Sequence, residues 1–246
     1  MKQLFKNYYS LVCRQIKRWT NVVFSLLIIC GWANCTEAKK SKQNESLSKA
    51  TDSIVKTALT EVENMSFDEL FTEITPEEID KNIVGLIKTY NIVITSGKET
   101  GYNSMVAGDG GMGILMGKAV TFCGLRGNRY TLEIILKDSV YTMSFFEDKY
   151  KDDYMIFGQK SGRDTEKMKE TKLTAIVMPS GKMAYKEAFM IIECQLSQTH
   201  TVHLKEVYAE YNRKFFTDAY KEVGKYHKIV FGDITNVWIK KQGNPS

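Results

Sequence analysis

Short apolar runs rich in β-branched and aromatic residues recur along most of this chain, and turn residues separate them. Runs of this kind predict strands, near 91–95, 104–107, 118–124, 140–146, 173–178, 187–198, 200–207 and 227–240. Apolar residues at helical spacing predict helices near 131–137, 147–157, 164–171 and 212–223. Many strands with few helices, and without regular strand–helix alternation, favour a mainly β, α+β fold in which helices are inserted into a barrel.

The segment before the first predicted strand carries helical signals. An apolar stripe predicts a helical extension over residues 51–74, and its members are Ile54, Ala58, Leu59 and Val62. We place the barrel domain at residues 75–246. It opens with Thr75-Pro-Glu-Glu78, which is typical of a capped helix start. We expect that helix to continue through Ile79, Ile83 and Leu86.

Residues 1–34 resemble a bacterial lipoprotein signal peptide. A basic stretch precedes the apolar run Val22–Cys30, which is shorter than the roughly 20 residues that span a bilayer. Cys35 stands at the position of a lipobox cysteine, and residues 35–50 are a polar tether. We therefore expect a lipid-anchored protein of the cell envelope. Two alternatives stay open: an uncleaved signal anchor, and a cytoplasmic protein whose leader is not processed.

The formal charge of +5 lies entirely in this leader, because residues 1–34 contain five basic residues and no acidic ones. The rest of the chain has no net charge. A balanced chain gives little support for binding a polyanion, so we do not expect a nucleic-acid partner.

The cysteines and histidines do not indicate a disulfide framework or a metal centre. Outside the leader and Cys35, only Cys123 and Cys194 remain, both in apolar runs, which favours two buried thiols over a bridge. His200 and His203 form the one metal-like pair, and no third ligand stands at motif spacing. We expect no bound metal.

Arg126, Arg129 and Thr131 form the strongest candidate for an anion site. Guanidinium groups match the oxygens of a phosphate. The preceding run Lys118–Leu125 is a predicted strand, and Leu132–Leu136 has helical spacing. The arginines therefore stand at a strand-to-helix corner, where backbone N–H groups also favour anions. A phosphate monoester is the ligand that this pattern favours, and a solvated basic turn is the alternative.

A glycine-rich segment has a composition that suits a ligand site. Five glycines between residues 101 and 113 let the backbone approach a ligand closely. Asn103 and Ser104 supply polar contacts, and the backbone at Val106 and Ala107 suits the edge of a flat heterocycle. A flexible surface loop is the alternative.

A second segment, Ser161-Gly-Arg-Asp164, predicts a helix N-terminus at which Arg163 completes another anion site. A plain helix cap with a solvated arginine is the alternative.

Four motifs follow one another in a characteristic order. They are Asn-Ser-Met-x-Ala at 103–107, Arg-x-x-Arg-Tyr-Thr-x-Glu at 126–133, Ser-Gly-Arg-Asp-x-x-Lys at 161–167, and Tyr-His with Gly-Asp at 226–233. In combination they resemble the flavin reductase-like family of FMN-binding split β-barrels. The resemblance covers residues 75–240.

The resemblance implies a six-stranded Greek-key split barrel that forms a homodimer, with FMN in a groove at the subunit interface. It implies cofactor-binding roles for Asn103, Ser104, Met105, Val106, Ala107, Arg126, Arg129, Tyr130, Thr131, Ser161, Arg163 and Lys167. His227 would stand near the flavin. It also implies an oxidoreductase in which the flavin performs the redox chemistry, so that no catalytic side chain is required.

The chain departs from the family at Val106 and at Gly108-Asp109, where Thr and Ser-Trp are frequent. It also has Tyr90-Asn91 in place of an aromatic residue before the first barrel strand. If Asp109 points towards the flavin, its charge would disfavour a reduced, anionic ring. The family's usual donor, NAD(P)H, is not expected free outside the cytoplasm, so the electron donor and acceptor stay open. Two alternatives to the enzyme are a lipid-anchored flavin-binding protein without turnover and a split barrel that binds another ligand.

Overall fold

A computed structural model describes residues 65–89, 92–219 and 226–241. The leader, Cys35, the tether, residues 51–64 and Tyr90-Asn91 lie outside the described residues. Within these ranges no helix is both long enough and apolar enough to cross a bilayer.

Ten strands and five α-helices make up the described chain. The helices are α1 (Phe67–Leu70), α2 (Ile83–Thr89), α3 (Tyr130–Asp138), α4 (Lys151–Gln159) and α5 (Glu210–Ala219). The strands are β1 (Phe71–Ile74), β2 (Ile92–Lys98), β3 (Gly101–Ala107), β4 (Gly110–Leu115), β5 (Lys118–Arg126), β6 (Val140–Phe145), β7 (Ala175–Val177), β8 (Met183–Tyr185), β9 (Met190–Thr201) and β10 (His227–Lys240). Short 3₁₀ turns lie at Pro76–Glu78, Asp148–Tyr150, Lys167–Lys169 and Leu204–Glu206.

Eight antiparallel strands form one sheet in the order β3-β2-β6-β9-β10-β5-β4, with β1 added beside β10. The first and last strands of this order, β3 and β4, are consecutive in the chain. Only Gly108 and Asp109 join them, so the sheet has to curl until its two ends meet. The β7-β8 pair forms a separate small sheet.

The long strand β10 holds the curled sheet together. Its first half, His227–Asp233, pairs with β5, and its last residues pair with β1. Along nearly its whole length it also pairs with β9. A register shift between Phe231 and Gly232 bends the strand.

Two apolar clusters fill the fold because strand side chains alternate between faces. In β2, Ile92 and Ile94 face the first cluster, inside the curled sheet, and Val93 faces the second. The second cluster lies between the sheet and helices α1 and α4 and includes Tyr154 and Phe157. β2 is therefore buried on both faces, which explains the three consecutive apolar residues Ile92–Ile94 at its start.

Residues 67–74 form a short helix and then a strand of the sheet, so the helical extension predicted over residues 51–74 does not continue through residues 71–74. Residues 51–64 of that prediction lie outside the described residues. Ser66 and Glu69 form a capping box at the start of α1. The α1 helix lasts four residues, and β1 then pairs with β10. Phe67 stacks on Phe71 and meets Trp238 edge-on, and these aromatic contacts bury the segment.

Other predicted elements also differ from the structure. Thr75 forms its capping box with Glu78, but the turn ends at Glu78 and α2 begins anew at Ile83. The helix predicted at 164–171 is wrong, because only a 3₁₀ turn at Lys167–Lys169 forms there. The strand predicted at 200–207 ends at Thr201. Strand β4 lies in the glycine-rich segment, where no strand was predicted.

Candidate functional site

A cavity of about 290 Å³ lies where β3, the β5–α3 corner, the end of α4 and the following turn meet. Nine residues predicted to bind a cofactor line it: Asn103, Met105, Val106, Arg129, Tyr130, Thr131, Ser161, Arg163 and Lys167. The tertiary structure thus brings together three segments that the sequence marked separately.

The predicted strand-to-helix corner is present. Strand β5 ends at Arg126, and α3 begins at Tyr130 with Arg129 in extended conformation at its N-cap. The first turn of α3 directs free backbone N–H groups outward, where they favour an anion. Partial burial and the charge of Arg126 lower the pKa of Arg129. Among the described residues, no carboxylate forms an ion pair with either arginine, so both charges remain for a ligand.

Asn103 links β3 to the corner. Its buried side-chain amide donates a 2.6 Å hydrogen bond to the hydroxyl of Thr131, in the first turn of α3. A Cβ at Gly162 would overlap the amide oxygen of Asn103. The turn after α4 therefore approaches β3 closely because residue 162 has no side chain.

Lys167 forms the base of the cavity. It is 2% exposed, and its ammonium donates 3.0 Å hydrogen bonds to the carbonyls of Phe157 and Lys160 at the end of α4. Burial and the nearby charge of Arg129 lower its pKa to about 8. The group is therefore a cation near neutral pH, and a negative ligand in the cavity would stabilise its charge.

The Ser161–Asp164 segment is a turn, and no α-helix follows it. The helix N-terminus predicted there is therefore wrong. The carbonyl of Ser161 accepts hydrogen bonds from the backbone N–H groups of Asp164 and Thr165. Arg163 reaches across the cavity to α3, where it forms an ion pair with Glu133.

Three predicted residues do not line the cavity. Ser104 points to the opposite face of β3, where its hydroxyl lies 2.7 Å from those of Thr95 and Tyr185. Ala107 is buried in the first cluster. Arg126 lies just outside the cavity and faces His227 in the β5–β10 register.

His227 is buried beside the cavity. Its ring meets Phe215 and Phe216 of α5, and burial together with the charge of Arg126 lowers its pKa. Asp109 is exposed in the β3–β4 connection, and its carbonyl accepts a hydrogen bond from the backbone of Gly124. The negative charge of Asp109 opposes the lowering of the His227 pKa without reversing it, so His227 is neutral near physiological pH.

Sequence reasoning missed several lining residues, including Asn128, Phe157, Gly158 and Lys160. Phe157 and Gly158 lie at the end of α4, and a Cβ at Gly158 would lie 3.4 Å from the Cβ of Val106 on β3. No local motif marks Phe157, Gly158 and Lys160, because they reach the cavity only through the packing of α4 on β3. Asn128, Gly162 and Asp164 lie inside marked motifs but had no assigned role.

Cys123, Cys194 and His200, which were considered as possible disulfide or metal-binding residues, lie apart from the cavity in the structure. Cys123 and Cys194 are buried free thiols, as predicted. His200 lies edge-on to Phe231 and close to Gln198. Within residues 65–89, 92–219 and 226–241, no group of three metal-ligating side chains is found.

Residues 84–246 match the flavin reductase like domain. Among solved structures, the fold is similar to an FMN-binding domain of a flavin reductase-like enzyme from Shewanella baltica OS155, at 10% identity and a TM-score of 0.50, over 71% of this chain and 81% of that one. Flavoredoxin from Methanosarcina acetivorans gives 15% identity and a TM-score of 0.47, over 64% and 74%. The FMN-binding protein of Thermus thermophilus gives 18% and 0.46, over 61% and 70%. No curated protein matches the chain significantly.

The likeness to the Shewanella domain confirms the α+β split barrel expected from the sequence. The domain match covers well over half of the chain. It includes every segment that builds the cavity and none of residues 1–83. On this basis the chain belongs to the family of flavin reductase like domains, which bind flavin.

Proposed function

We propose that this protein is an FMN-binding oxidoreductase that passes electrons through its flavin to a small-molecule acceptor. The observation that carries the proposal is the convergence of Arg129, Lys167 and the N-terminus of α3 on one cavity. Neither cation has a carboxylate partner among the described residues. This donor set fits a phosphate monoester, and FMN differs from riboflavin by that group.

The side chains divide between the two ends of the ligand. Arg129, Lys167 and the hydroxyl of Thr131 would hold the phosphate, and Arg126 would add charge from just outside. Met105 and Val106 supply an apolar wall for the ring. Among the described strands, β3 pairs only with β2, so the outward backbone groups of residues 103–107 are available to the polar edge of the ring. Ser104 and Ala107 would contribute through that backbone alone.

When bound, FMN supplies the two-electron redox chemistry. The protein's residues would bind the flavin, orient it and exclude water from one of its faces. His227, buried and neutral beside Arg126, would contribute a polar contact near this site without a change of charge.

Titration of the purified protein with FMN and with riboflavin tests the proposal. We expect the wild type to bind FMN tightly and riboflavin more weakly. In Arg129→Met the affinities for FMN and riboflavin should become similar. A charged hydrogen bond of this kind contributes about 1.5–3 kcal/mol, or roughly 10- to 100-fold in affinity. A protein that binds neither flavin would contradict the proposal and would favour the split barrel that takes another ligand.

A lipid-anchored flavin-binding protein without turnover is the second candidate. The leader supports it, because NAD(P)H is not expected free outside the cytoplasm. Bleaching of bound FMN on addition of NADH or NADPH under anaerobic conditions distinguishes the two. Bleaching supports the oxidoreductase, and a flavin that stays oxidised with both donors supports the binding protein.

We further propose that the protein is a homodimer anchored in the cell envelope through Cys35. The lipobox-like position of Cys35 and the family resemblance support this. Membrane fractionation of the wild type and of Cys35→Ala tests the anchor, and equal membrane retention of both would overturn it. Sedimentation equilibrium of the soluble domain tests the dimer.

A further inference from the structure

The turn Ser161–Asp164 is tied across the cavity by a single side chain. One terminal nitrogen of Arg163 donates a 2.9 Å hydrogen bond to the carbonyl of Asn128, and the other forms an ion pair with Glu133. The guanidinium carbon lies 5.2 Å from the centre of the Tyr130 ring. All three partners belong to the β5–α3 corner, which is the opposite wall of the cavity.

We propose that Arg163 and Glu133 form a clamp that holds this turn over the bound flavin. Arg163 is then a positioning residue and not a ligand of the phosphate. The flavin part of this inference rests on the proposed function; the clamp itself does not.

The engagement of Arg163 argues against a role as phosphate ligand. Both terminal nitrogens already have acceptors, and the ring of Tyr130 covers one face of the guanidinium. The carboxylate of Glu133 would also repel a phosphate that approached Arg163. Arg129 and Lys167 have no such carboxylate neighbour among the described residues, so the phosphate charge is better met at their end of the cavity.

The turn has few other contacts that would hold it in place. Residues 161–165 contain no helix or strand, and the backbone N–H groups of Asp164 and Thr165 donate hydrogen bonds back to Ser161 within the turn. Lys167 fixes the base of the turn to the end of α4. Gly162 lies close to Asn103, but a glycine has no side chain that could form a hydrogen bond or an ion pair there. Gly162 also lies close to the ring of Tyr130, but among the described residues Arg163 is the one side chain of the turn that forms hydrogen bonds to the facing wall.

A clamp of this kind controls how fast a bound flavin leaves. Release requires the turn to move away from α3, and the ion pair and the hydrogen bond to Asn128 oppose that movement. The clamp lies over the cavity and does not contact the phosphate, so it acts equally on FMN and riboflavin. The rate of entry depends mainly on the open state and changes little.

Three variants test the clamp: Glu133→Gln, Arg163→Met and the double variant. Stopped-flow fluorescence measures the dissociation rates of FMN and riboflavin. We expect Glu133→Gln to raise both rates about two- to fivefold, as for an exposed ion pair. We expect Arg163→Met to raise both by about tenfold, because it also loses the bond to Asn128. The double variant should match Arg163→Met, since the partner of Glu133 is already gone.

Glu166→Gln is the matched control. Glu166 pairs with Lys169 at 2.8 Å in an exposed ion pair of the same segment, away from the facing wall. Its dissociation rates should equal those of the wild type. Melting temperatures should differ little among all variants, which separates a clamp from a general loss of stability.

Hydrogen–deuterium exchange of the flavin-free protein gives a second measurement that needs no ligand. Amides of residues 162–165 should exchange faster in Glu133→Gln and Arg163→Met than in the wild type and Glu166→Gln. Unchanged exchange and unchanged dissociation rates would overturn the clamp. A loss of FMN binding alone in Arg163→Met, with riboflavin unaffected, would instead make Arg163 a phosphate ligand. If the wild type binds no flavin, the proposed function fails, while the exchange experiment still decides the clamp.

Discussion

Asn103 and Thr131 stand 28 residues apart in the sequence and share a buried 2.6 Å hydrogen bond in the wall of the cavity. The amide nitrogen of Asn103 can only donate, so the hydroxyl oxygen of Thr131 accepts this bond. The threonine proton is then left for another acceptor. The pair presents the cavity with a hydroxyl that is set to donate, which suits a negatively charged ligand.

Replacing Asn103 by Asp should therefore weaken FMN binding. A carboxylate would accept the proton of Thr131 and would add negative charge beside the phosphate. We expect the dissociation constant to rise at least about tenfold, with a smaller change for riboflavin. Thr131→Val, which loses the hydroxyl without adding charge, should show a smaller loss. Fluorescence titration measures both, and an Asn103→Asp protein that binds FMN like the wild type would contradict the assigned donor.

Gly162→Ala should also weaken flavin binding, because a Cβ at this position overlaps the amide oxygen of Asn103. The turn would have to move away from β3, and the cavity would widen. We expect the FMN dissociation constant to rise about tenfold, in the range of a core overpacking penalty. Gly101→Ala is the matched control, since a Cβ there meets nothing within 4 Å. Equal affinities of the two variants would count against the close approach.

The affinity for FMN should fall as the pH rises through about 8. Burial and Arg129 lower the pKa of Lys167 to about 8, so this cation is lost in a range where the arginines stay charged and the phosphate is a dianion. We expect a loss of about threefold to tenfold between pH 7 and 9.5. Riboflavin should show no such dependence, and Lys167→Met should have a flat FMN profile. A wild-type profile that is also flat would remove Lys167 from the site.

In the flavin-free protein Lys167 should make stability rise with pH. Its folded-state pKa of about 8 lies below its ordinary value of 10.5, so the unfolded state binds more protons between these values. The free energy of unfolding contributed by this group therefore increases over that interval. Urea denaturation of the wild type and Lys167→Met at several pH values measures it. If the free energy of unfolding of the wild type, relative to that of Lys167→Met, decreased as the pH rose, the lowered pKa of Lys167 would be contradicted.

Gly232→Ala should destabilise the barrel. A Cβ there would overlap the hydroxyl of Tyr141 and lie 2.9 Å from Cys194 Cβ. Overpacking of this kind costs about 1–3 kcal/mol, which thermal unfolding detects as a lower melting temperature. Tyr141→Phe removes the nearest atom and should restore part of the loss in the double variant. Gly113→Ala, where a Cβ meets no atom within 4 Å, should change stability far less.

The barrel strands and the phosphate corner could be predicted because their signals are local. The runs at 118–124 and 140–146 contain the β-branched and aromatic residues of buried strands, and the structure has β5 and β6 there. The corner at Arg126–Thr131 combines a strand end with a helix start, and each has its own local pattern. Strand β4 was missed because Gly110–Gly113 has no side-chain pattern, and its pairing with β5 alone makes it a strand.

The sequence by itself determined the residue types of the site: paired arginines, a lysine, a hydroxyl and a glycine-rich approach. Tertiary structure decided their roles. Ser104 and Asn103 are neighbours, yet the alternation of β3 places one against Tyr185 and the other in the cavity. Arg163 and Lys167 share a motif, yet Arg163 pairs with Glu133, whereas Lys167 is buried beneath the turn. Charge and hydrogen-bonding capacity belong to the residue type, but which partner a side chain meets depends on how distant segments pack.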